Sequence, residues 1–293
     1  MSNETQQNQS TVADLQLCIG GFSSKGLKAE NQDAFAAIVP QSHELRAKGA
    51  VAAIADGLSS ANKAADASQL AVTQFIQEYL ATPETWSTQK SAAKVLTSLN
   101  NWLYSQSDFV EGLADENSPQ WLTTFSALIA KSNTGYIFHV GDTRITKYRN
   151  LQLEVITRDH NRKQIGQQAL LTRALGADNR LEVDVHQVDL QSGDLYMLSC
   201  DGVHDHITKP VFKTLFDALP VSPEKGDLEA LSIEIVNTAL EQGSNDNLTC
   251  LLVYVKAVPN RKLAEIQRDL STKVIPPALK VGQKLDEKKK KKV

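Results

Sequence analysis

Short apolar runs and longer segments with helical periodicity divide this chain into two kinds of element. The apolar runs predict strands over residues 15–22, 34–39, 50–55, 121–130, 135–140, 144–149, 151–157, 181–190, 194–201 and 247–255. Helical patterns cover residues 59–81, a segment after Pro83, and residues 209–219 and 227–241. Residues 191–193 (QSG) predict a hairpin turn between the two strands that flank them. Because strands and helices are each clustered, the order favours packed antiparallel sheets with helices outside.

The composition is that of an ordinary soluble globular protein. The chain has 293 residues, of which 41% are hydrophobic and 22% charged, so it can bury a sizeable core. We expect one domain over residues 14–258, a disordered polar lead over 1–13 and a linker-like basic tail over 259–293. The lead lacks the apolar centre of a signal peptide, and no apolar run reaches the roughly 18 residues that span a bilayer. We therefore expect a cytoplasmic monomer without a transmembrane segment.

The net charge of −3 hides an uneven distribution. The last ten residues carry six Lys and two acidic residues, and without them 25 basic and 32 acidic residues leave a net charge of −7. The acidic body gives no nucleic-acid signature, so no nucleic-acid partner is expected. The Lys run is predicted to be a solvated tail, with contact to an anionic surface as the less favoured alternative.

The cysteines exclude several kinds of site. Cys18, Cys200 and Cys250 form no CxxC pair, so neither a zinc ribbon nor a disulfide framework is expected and a reducing compartment fits best. A cysteine-dependent phosphatase needs an Arg six positions after its Cys, but those positions hold Ser, His and Lys. No GxxxxGK[ST] stretch is present, which excludes a P-loop NTPase.

Aspartates fall at the ends of several strand-like runs, beside Gly or Asn. They are Asp33, Asp56, Asp142, Asp201 and Asp246. A strand end puts a carboxylate at the rim of a sheet, and a neighbouring Gly lets a backbone carbonyl or a ligand approach closely. One Asp-Gly pair is more often only a turn, but carboxylates gathered at one rim repel each other unless a cation neutralises them. Oxygen donors suit Mg²⁺, Mn²⁺ or Ca²⁺, and two such ions would assist an in-line phosphoryl displacement.

Taken in order, the motifs of this chain resemble those of the metal-dependent protein phosphatases of type 2C, from residue 15 to about 256. The matching stretches are residues 28–33 (KAENQD), 56–57 (DG), 123–124 (TT), 141–144 (GDTR), 157–160 (TRDH), 171–176 (LTRALG), 200–202 (CDG) and 246–247 (DN). A single stretch is a weak signal, whereas eight in family order are specific. The resemblance implies an α+β fold: a four-layer αββα sandwich of two antiparallel sheets flanked by helices.

The same resemblance implies a metal centre of two, or with a weaker site three, Mn²⁺ or Mg²⁺ ions. Asp56 would bridge two ions, and the Gly57 carbonyl would complete one shell. Asp201 and Asp246 would bind the other ion, and these two residues with Asp56 form the implied catalytic set. Asp142 matches the position of the third site, shared with Asp201. A metal-bound water or hydroxide would then hydrolyse phosphoserine or phosphothreonine in protein substrates.

The sequence departs from the family pattern in four places. Lys28 stands where the family has a phosphate-binding Arg, and a Lys binds phosphate as a point charge without the bidentate fork. Gln32 replaces a Glu, which removes a negative charge behind the metal ligands, where Asp33 is also placed. Residues 58–60 (LSS) replace a segment with two Gly, and the loop between residues 160 and 171 predicts a shortened flap. Because the aspartates are kept, we expect weakened tuning rather than loss of activity.

The end of the chain carries a second resemblance. Residues 274–286 (VIPPALKVGQKLD) are similar to the linker in bacterial proteins that fuse this phosphatase to a Ser/Thr kinase, which suggests a kinase partner. The alternative to an enzyme is a pseudophosphatase that serves as a binding or regulatory module, motivated by Lys28 and Gln32.

Three histidines are predicted to be structural. The spacing of His204 and His206 could point both side chains to one side of a strand, but the family site uses oxygen ligands. His160 is favoured as a structural residue over a general acid. Asp205 is predicted to hold its loop through hydrogen bonds.

Overall fold

The computed structural model describes residues 14–107, 120–162 and 170–259. The strands are β1 (Gln16–Ser24), β2 (Asp33–Ile38), β3 (Ala50–Asp56), β4 (Phe125–Lys131), β5 (Thr134–Val140), β6 (Arg144–Arg149), β7 (Gln152–Val155), β8 (Asn161–Arg162), β9 (Leu170–Leu171), β10 (Asp184–Asp189), β11 (Leu195–Ser199) and β12 (Leu248–Ala257). The helices are α1 (Ser42–Lys48), α2 (Ala64–Ala81), α3 (Thr88–Gln106), α4 (Asp201–His204), α5 (Lys209–Asp217) and α6 (Lys225–Glu241). The predicted lead, the predicted flap at residues 163–169 and the tail from residue 260 lie outside the described residues.

Ten of the strands form two five-stranded antiparallel sheets. Sheet A has the order β1-β12-β11-β6-β7, and sheet B has the order β10-β5-β4-β3-β2. Every pairing in both sheets is antiparallel. The short strands β8 and β9 pair separately. The predicted fold class is therefore confirmed.

Three apolar cores define the layers. One core packs α2 and α3 against sheet B, one lies between the sheets, and one packs α4, α5 and α6 against sheet A. Strand β3 shows why both faces of a central strand are apolar: Val51 and Ala53 face the helices, whereas Ala52 and Ile54 face the other sheet. The result is the predicted helix–sheet–sheet–helix order.

The predicted hairpin at residues 191–193 is wrong. Strand β10 pairs with β5 in sheet B, whereas β11 pairs with β6 and β12 in sheet A. The turn therefore carries the chain from one sheet to the other, and the Gly193 backbone N–H donates to the Val255 carbonyl of β12. Turn residues show that a chain reverses, but partner choice depends on which sheet buries each apolar face.

At the starts of two helices, the structure differs from what the sequence predicts. The helix predicted over residues 59–81 begins only at Ala64, because the preceding residues form turns. The strand predicted to reach residue 201 ends at Ser199, and α4 follows. His204, which the sequence predicted to be structural, lies on α4 and is buried, with its Nδ1 3.0 Å from Ser199 Oγ. Within the described residues, none of the helices has the length and apolarity of a membrane span.

Candidate metal centre

The five predicted aspartates gather at one end of the sandwich. Asp33 opens β2 and pairs in register with Asp56, the last residue of β3. Asp142 and Asp201 closely follow the ends of β5 and β11, and Asp246 precedes β12. The other four all raise the pKa of Asp56 by repulsion, after burial as the largest cause. The rim predicted from the sequence is thus present, with strand ends of both sheets contributing to it.

Four of the aspartates, Asp33, Asp56, Asp142 and Asp201, are costly to ionise in this position. Burial is the largest cause of the raised pKa of each, because a low-dielectric surrounding disfavours a carboxylate. It raises the pKa of Asp33 to about 6 and that of Asp142 to about 7. The pKa of Asp201 is raised by burial and then by Asp246, while Lys28 acts in the opposite direction. This rim therefore holds more negative charge than its own residues compensate.

The oxygen atoms of the aspartates are donors that suit divalent cations, although the side chains do not converge on one point. Among the described residues, no three acidic, His or Cys side chains converge closely enough to hold a metal ion. Asp33 Oδ2 accepts a 2.7 Å hydrogen bond from Thr249 Oγ1, whereas its Oδ1 is buried without a partner of normal hydrogen-bond geometry in the part described. All the acidic donors are oxygens, as Mg²⁺ and Mn²⁺ prefer. A cation would relieve the repulsion and draw the carboxylates together.

Backbone contacts hold Asp56 and Gly57 in place. Thr124 receives a 2.9 Å hydrogen bond from the Asp56 N–H at its Oγ1, and its own N–H donates to the Asp56 carbonyl at 2.8 Å. A side chain at Gly57 would put its Cβ 2.4 Å from the Ala64 carbonyl oxygen and 2.8 Å from that of Gln32. Only glycine fits between these two carbonyls, as the Asp-Gly motif suggested.

Lys28 lies at the same rim, bound to one of the predicted ligands. Its Nζ is 3.2 Å from Asp246 Oδ1, and both side chains are partly exposed. A cation in this position can approach a solvent-borne phosphate group. The predicted phosphate-binding residue and the predicted metal ligand are therefore neighbours.

Sequence reasoning predicted a structural role for His160 but missed its contact with Gly141, and it missed the ion pair between Arg144 and Asp159. Arg144 holds Asp159 through two hydrogen bonds, at 2.9 and 2.6 Å, and lies 3.3 Å from Asp205. His160 Nδ1 accepts from the Gly141 N–H at 3.1 Å, and its backbone N–H donates to the Gly141 carbonyl at 2.7 Å. The motifs GDTR and TRDH contain these residues, but their pairing is a contact between β6 and the segment after β7.

The cysteines carry no nucleophilic chemistry. Cys18, Cys200 and Cys250 are all buried and unpaired. Burial raises the pKa of each thiol, to about 12 for Cys250. A buried thiol that stays protonated is not a nucleophile, which agrees with the exclusion of a cysteine-dependent phosphatase.

Comparison with known proteins decides the family. A sequence profile described as Protein phosphatase 2C matches residues 22–250. This chain belongs to the protein phosphatase 2C family. Family membership confirms the resemblance found in the sequence and assigns this chain to the protein-serine/threonine phosphatases.

Relatives of this phosphatase 2C cover most of the domain. A serine/threonine phosphatase, stp, of Listeria monocytogenes serotype 4b (strain F2365) is 27% identical over 247 residues, which cover 74% of this chain and 87% of the relative. The catalytic domain of the phosphatase PstP, solved in complex with two manganese ions, shares 24% identity with a TM-score of 0.63, covering 82% of this chain and 99% of that domain. PppA of Pseudomonas aeruginosa, described as a key regulatory component of T6SS, shares 22% identity with a TM-score of 0.64, covering 83% and 99%. At these identities the two structures show a shared fold.

Proposed function

We propose that this phosphatase 2C hydrolyses phosphoserine and phosphothreonine in protein substrates with the help of two divalent cations, Mn²⁺ or Mg²⁺, and that a third ion can bind more weakly. The observation that carries the proposal is the placement of Asp56, Asp142, Asp201 and Asp246 at strand ends of both sheets along one rim, where Asp142, Asp201 and Asp246 each raise the pKa of Asp56. The likeness to a PstP domain solved with two manganese ions supports it.

The chain's own residues divide the work. Asp56, with the Gly57 carbonyl, and Asp201 and Asp246 would hold the cations, and Asp142 with Asp201 would hold the third. When bound, the cations supply an activated water and neutralise charge on the phosphoryl oxygens.

Lys28 would bind the phosphate group from the solvent side. Asp33 and Gln32 would stand behind the ligands: Asp33 is fixed by Thr249, and the Gln32 carbonyl accepts from the Gly57 N–H. A Ser/Thr kinase partner and a cytoplasmic location belong to the same proposal, from the tail and the composition.

One observation favours the alternative, a pseudophosphatase. Lys28 already pairs with Asp246, and a cation there competes with a metal ion for the carboxylate. Turnover of a phosphothreonine peptide with Mn²⁺, compared with turnover in excess chelator, separates the two functions. Metal-dependent release of phosphate supports the enzyme, and its absence at every Mn²⁺ concentration supports the binding module.

Asp201→Asn tests the ligand set. The substitution keeps the shape of the side chain but removes its charge, so we expect at least a hundredfold loss of Mn²⁺-dependent turnover, on the order of 3 kcal/mol of transition-state stabilisation. Circular dichroism should show an unchanged fold. Asp217→Asn, on α5 and bonded to Tyr148, is the matched control and should keep its turnover. Normal activity of the Asp201 variant would contradict the assignment.

A further inference from the structure

The buried side chain of Asn247 joins two parts of the rim. It follows Asp246 and is 5% exposed. Its Oδ1 accepts from the Gln32 backbone N–H at 2.9 Å, and its Nδ2 donates to the Lys25 and Glu30 carbonyls at 3.0 and 2.9 Å. Both amide donors and the amide acceptor are used. All three partners are backbone atoms of residues 25–32, which we call the Lys28 loop.

Other contacts show that the Lys28 loop packs against the segment that contains Asp246 and Asn247. Gly26 has a φ of +56°, and a Cβ there would lie 2.4 Å from the Asp246 carbonyl oxygen. The loop backbone therefore packs directly on the residue before Asn247. At its far end the Gln32 carbonyl accepts from the Gly57 N–H at 3.0 Å and from Ser68 Oγ at 2.6 Å. Gly26 N–H also donates to Ser24 Oγ at 3.2 Å, but Asn247 contacts the loop at its near end, its middle and its far end.

The identity of residue 28 makes this anchoring important. The guanidinium group of an arginine binds a phosphate through rigid, coplanar N–H donors, whereas the ammonium group of a lysine is a point charge at the end of a flexible side chain. The position of a lysine ammonium group relative to the phosphate therefore depends on where the backbone holds the residue. The loop's anchor thus sets where the Lys28 ammonium group stands.

We propose that Asn247 is a positioning residue that holds the Lys28 loop so that Lys28 reaches the substrate phosphate. The proposal rests on the proposed function, because it assumes that Lys28 binds phosphate. It adds that Asn247 acts through Lys28, and not through the neighbouring Asp246.

Kinetics at saturating Mn²⁺ test this coupling. Asn247→Ala should raise KM for a phosphothreonine peptide roughly tenfold, the effect of losing about 1.4 kcal/mol of hydrogen bonding, with kcat little changed. Lys28→Ala should raise KM at least as much. In the double variant the increase in KM should be smaller than the product of the two single increases, because either substitution already removes the contact between Lys28 and the phosphate.

A matched control separates positioning from general stability. Asn100 is also buried, at 1% exposure, and its amide also clamps a loop: Nδ2 donates to the Asp178 carbonyl at 2.8 Å and Oδ1 accepts from the Gly176 N–H at 2.9 Å. Asn100→Ala should lower the melting temperature about as much as Asn247→Ala but leave KM unchanged. If Asn247→Ala does not fold, Asn247→Ser is the second variant, since its hydroxyl keeps an acceptor.

Calorimetric titration with inorganic phosphate in the presence of Mn²⁺ completes the test. Weaker phosphate binding by both the Lys28 and Asn247 variants, with unchanged Mn²⁺ affinity, supports the proposal. Weaker binding by the Lys28 variant alone overturns the role of Asn247 and leaves the proposed function intact, as does a loss of Mn²⁺ affinity in the Asn247 variant. Unchanged phosphate binding by Lys28→Ala overturns the phosphate-binding role of Lys28 and the inference with it.

Discussion

At the scale of single residues, Lys28 is one of the four places where the sequence resemblance indicates a departure from the family pattern. Its ammonium group pairs with Asp246 at 3.2 Å and faces solvent. A lysine there keeps the charge but loses the planar fork with which an arginine would hold two phosphate oxygens. Substrate affinity is therefore the property that this residue should limit.

Lys28→Arg should lower KM for a phosphopeptide about three- to tenfold, because charge-assisted bidentate pairs are stronger than a single contact. Steady-state kinetics at saturating Mn²⁺ measure the change. An unchanged KM would mean that Lys28 does not touch the substrate.

The raised pKa of Asp142 links this residue to pH. Its pKa in the folded protein, about 7, lies above the ordinary value of 3.8, so stability falls as pH rises from about 4 to 7, and the loss is complete above pH 7, where both the folded and the unfolded state are ionised. In chelator, Asp142→Asn should raise the melting temperature at pH 8 but much less at pH 5, by roughly 2–4 °C for each kcal/mol recovered. Asp189→Asn, which removes an exposed carboxylate of β10, is the control and should leave the melting temperature within about 2 °C at both pH values. An equal gain at both pH values would contradict the argument.

At the scale of elements, the connection between β5 and β6 places Asp142. Gly141 has a φ of +109°, and a Cβ there would lie 2.6 Å from Thr124 Cβ. His160 holds the same residue through two hydrogen bonds. The turn is thus pinned from two neighbouring segments, and the carboxylate that follows it has little freedom.

Gly141→Ala should cost roughly 1–3 kcal/mol in backbone strain, and the clash with Thr124 should also displace Asp142 and weaken Mn²⁺-dependent turnover. Gly193→Ala is a matched control, because Gly193 has a similar φ of +92° but, among the described residues, no atom lies within 4 Å of the position that a Cβ would take there. It should lose stability and keep its turnover. Equal turnover in both variants would show that the clash does not reach the site.

At the scale of the whole molecule, one buried ion pair holds the passage between the sheets. Asp194 is fully buried after the turn that leaves sheet B, and Arg149 of β6 grips it through two hydrogen bonds. The same Asp accepts from the Gln191 N–H at 2.8 Å. A buried charge that loses its partner is costly, so the pair secures the joint between the two layers.

Asp194→Asn should lower the free energy of unfolding by about 1.5–3 kcal/mol, because it removes the charge from a fully buried acceptor of two hydrogen bonds from Arg149. Urea denaturation measures this, and turnover per folded molecule should stay the same. Glu229→Gln breaks the exposed pair with Lys225 and should cost less than about 1 kcal/mol. Equal losses would sink the distinction between the two pairs.

Most of the layers and most of the site could be predicted from the sequence. The central strands are apolar on both faces, as β3 shows. Their burial can therefore be predicted from the apolar composition and the length of each run. The predicted aspartates do lie at strand ends, because a residue next to a buried apolar strand is placed at the edge of the sheet. The hairpin at residues 191–193 and the strand end at residue 201 were predicted wrongly, because local patterns do not identify the neighbouring strand or the point where a strand gives way to a helix.

The sequence by itself determined the family and the layer order, and it pointed to the aspartates that we propose as metal ligands, because these depend on periodicity and on short motifs. Only the tertiary structure decided which partners surround them: Asn247 on the Lys28 loop, His160 on Gly141, and Arg149 on Asp194. Each of these contacts joins segments that are distant along the chain. No local pattern encodes them, because they form only when two sheets fold face to face and bring their strand ends to one rim.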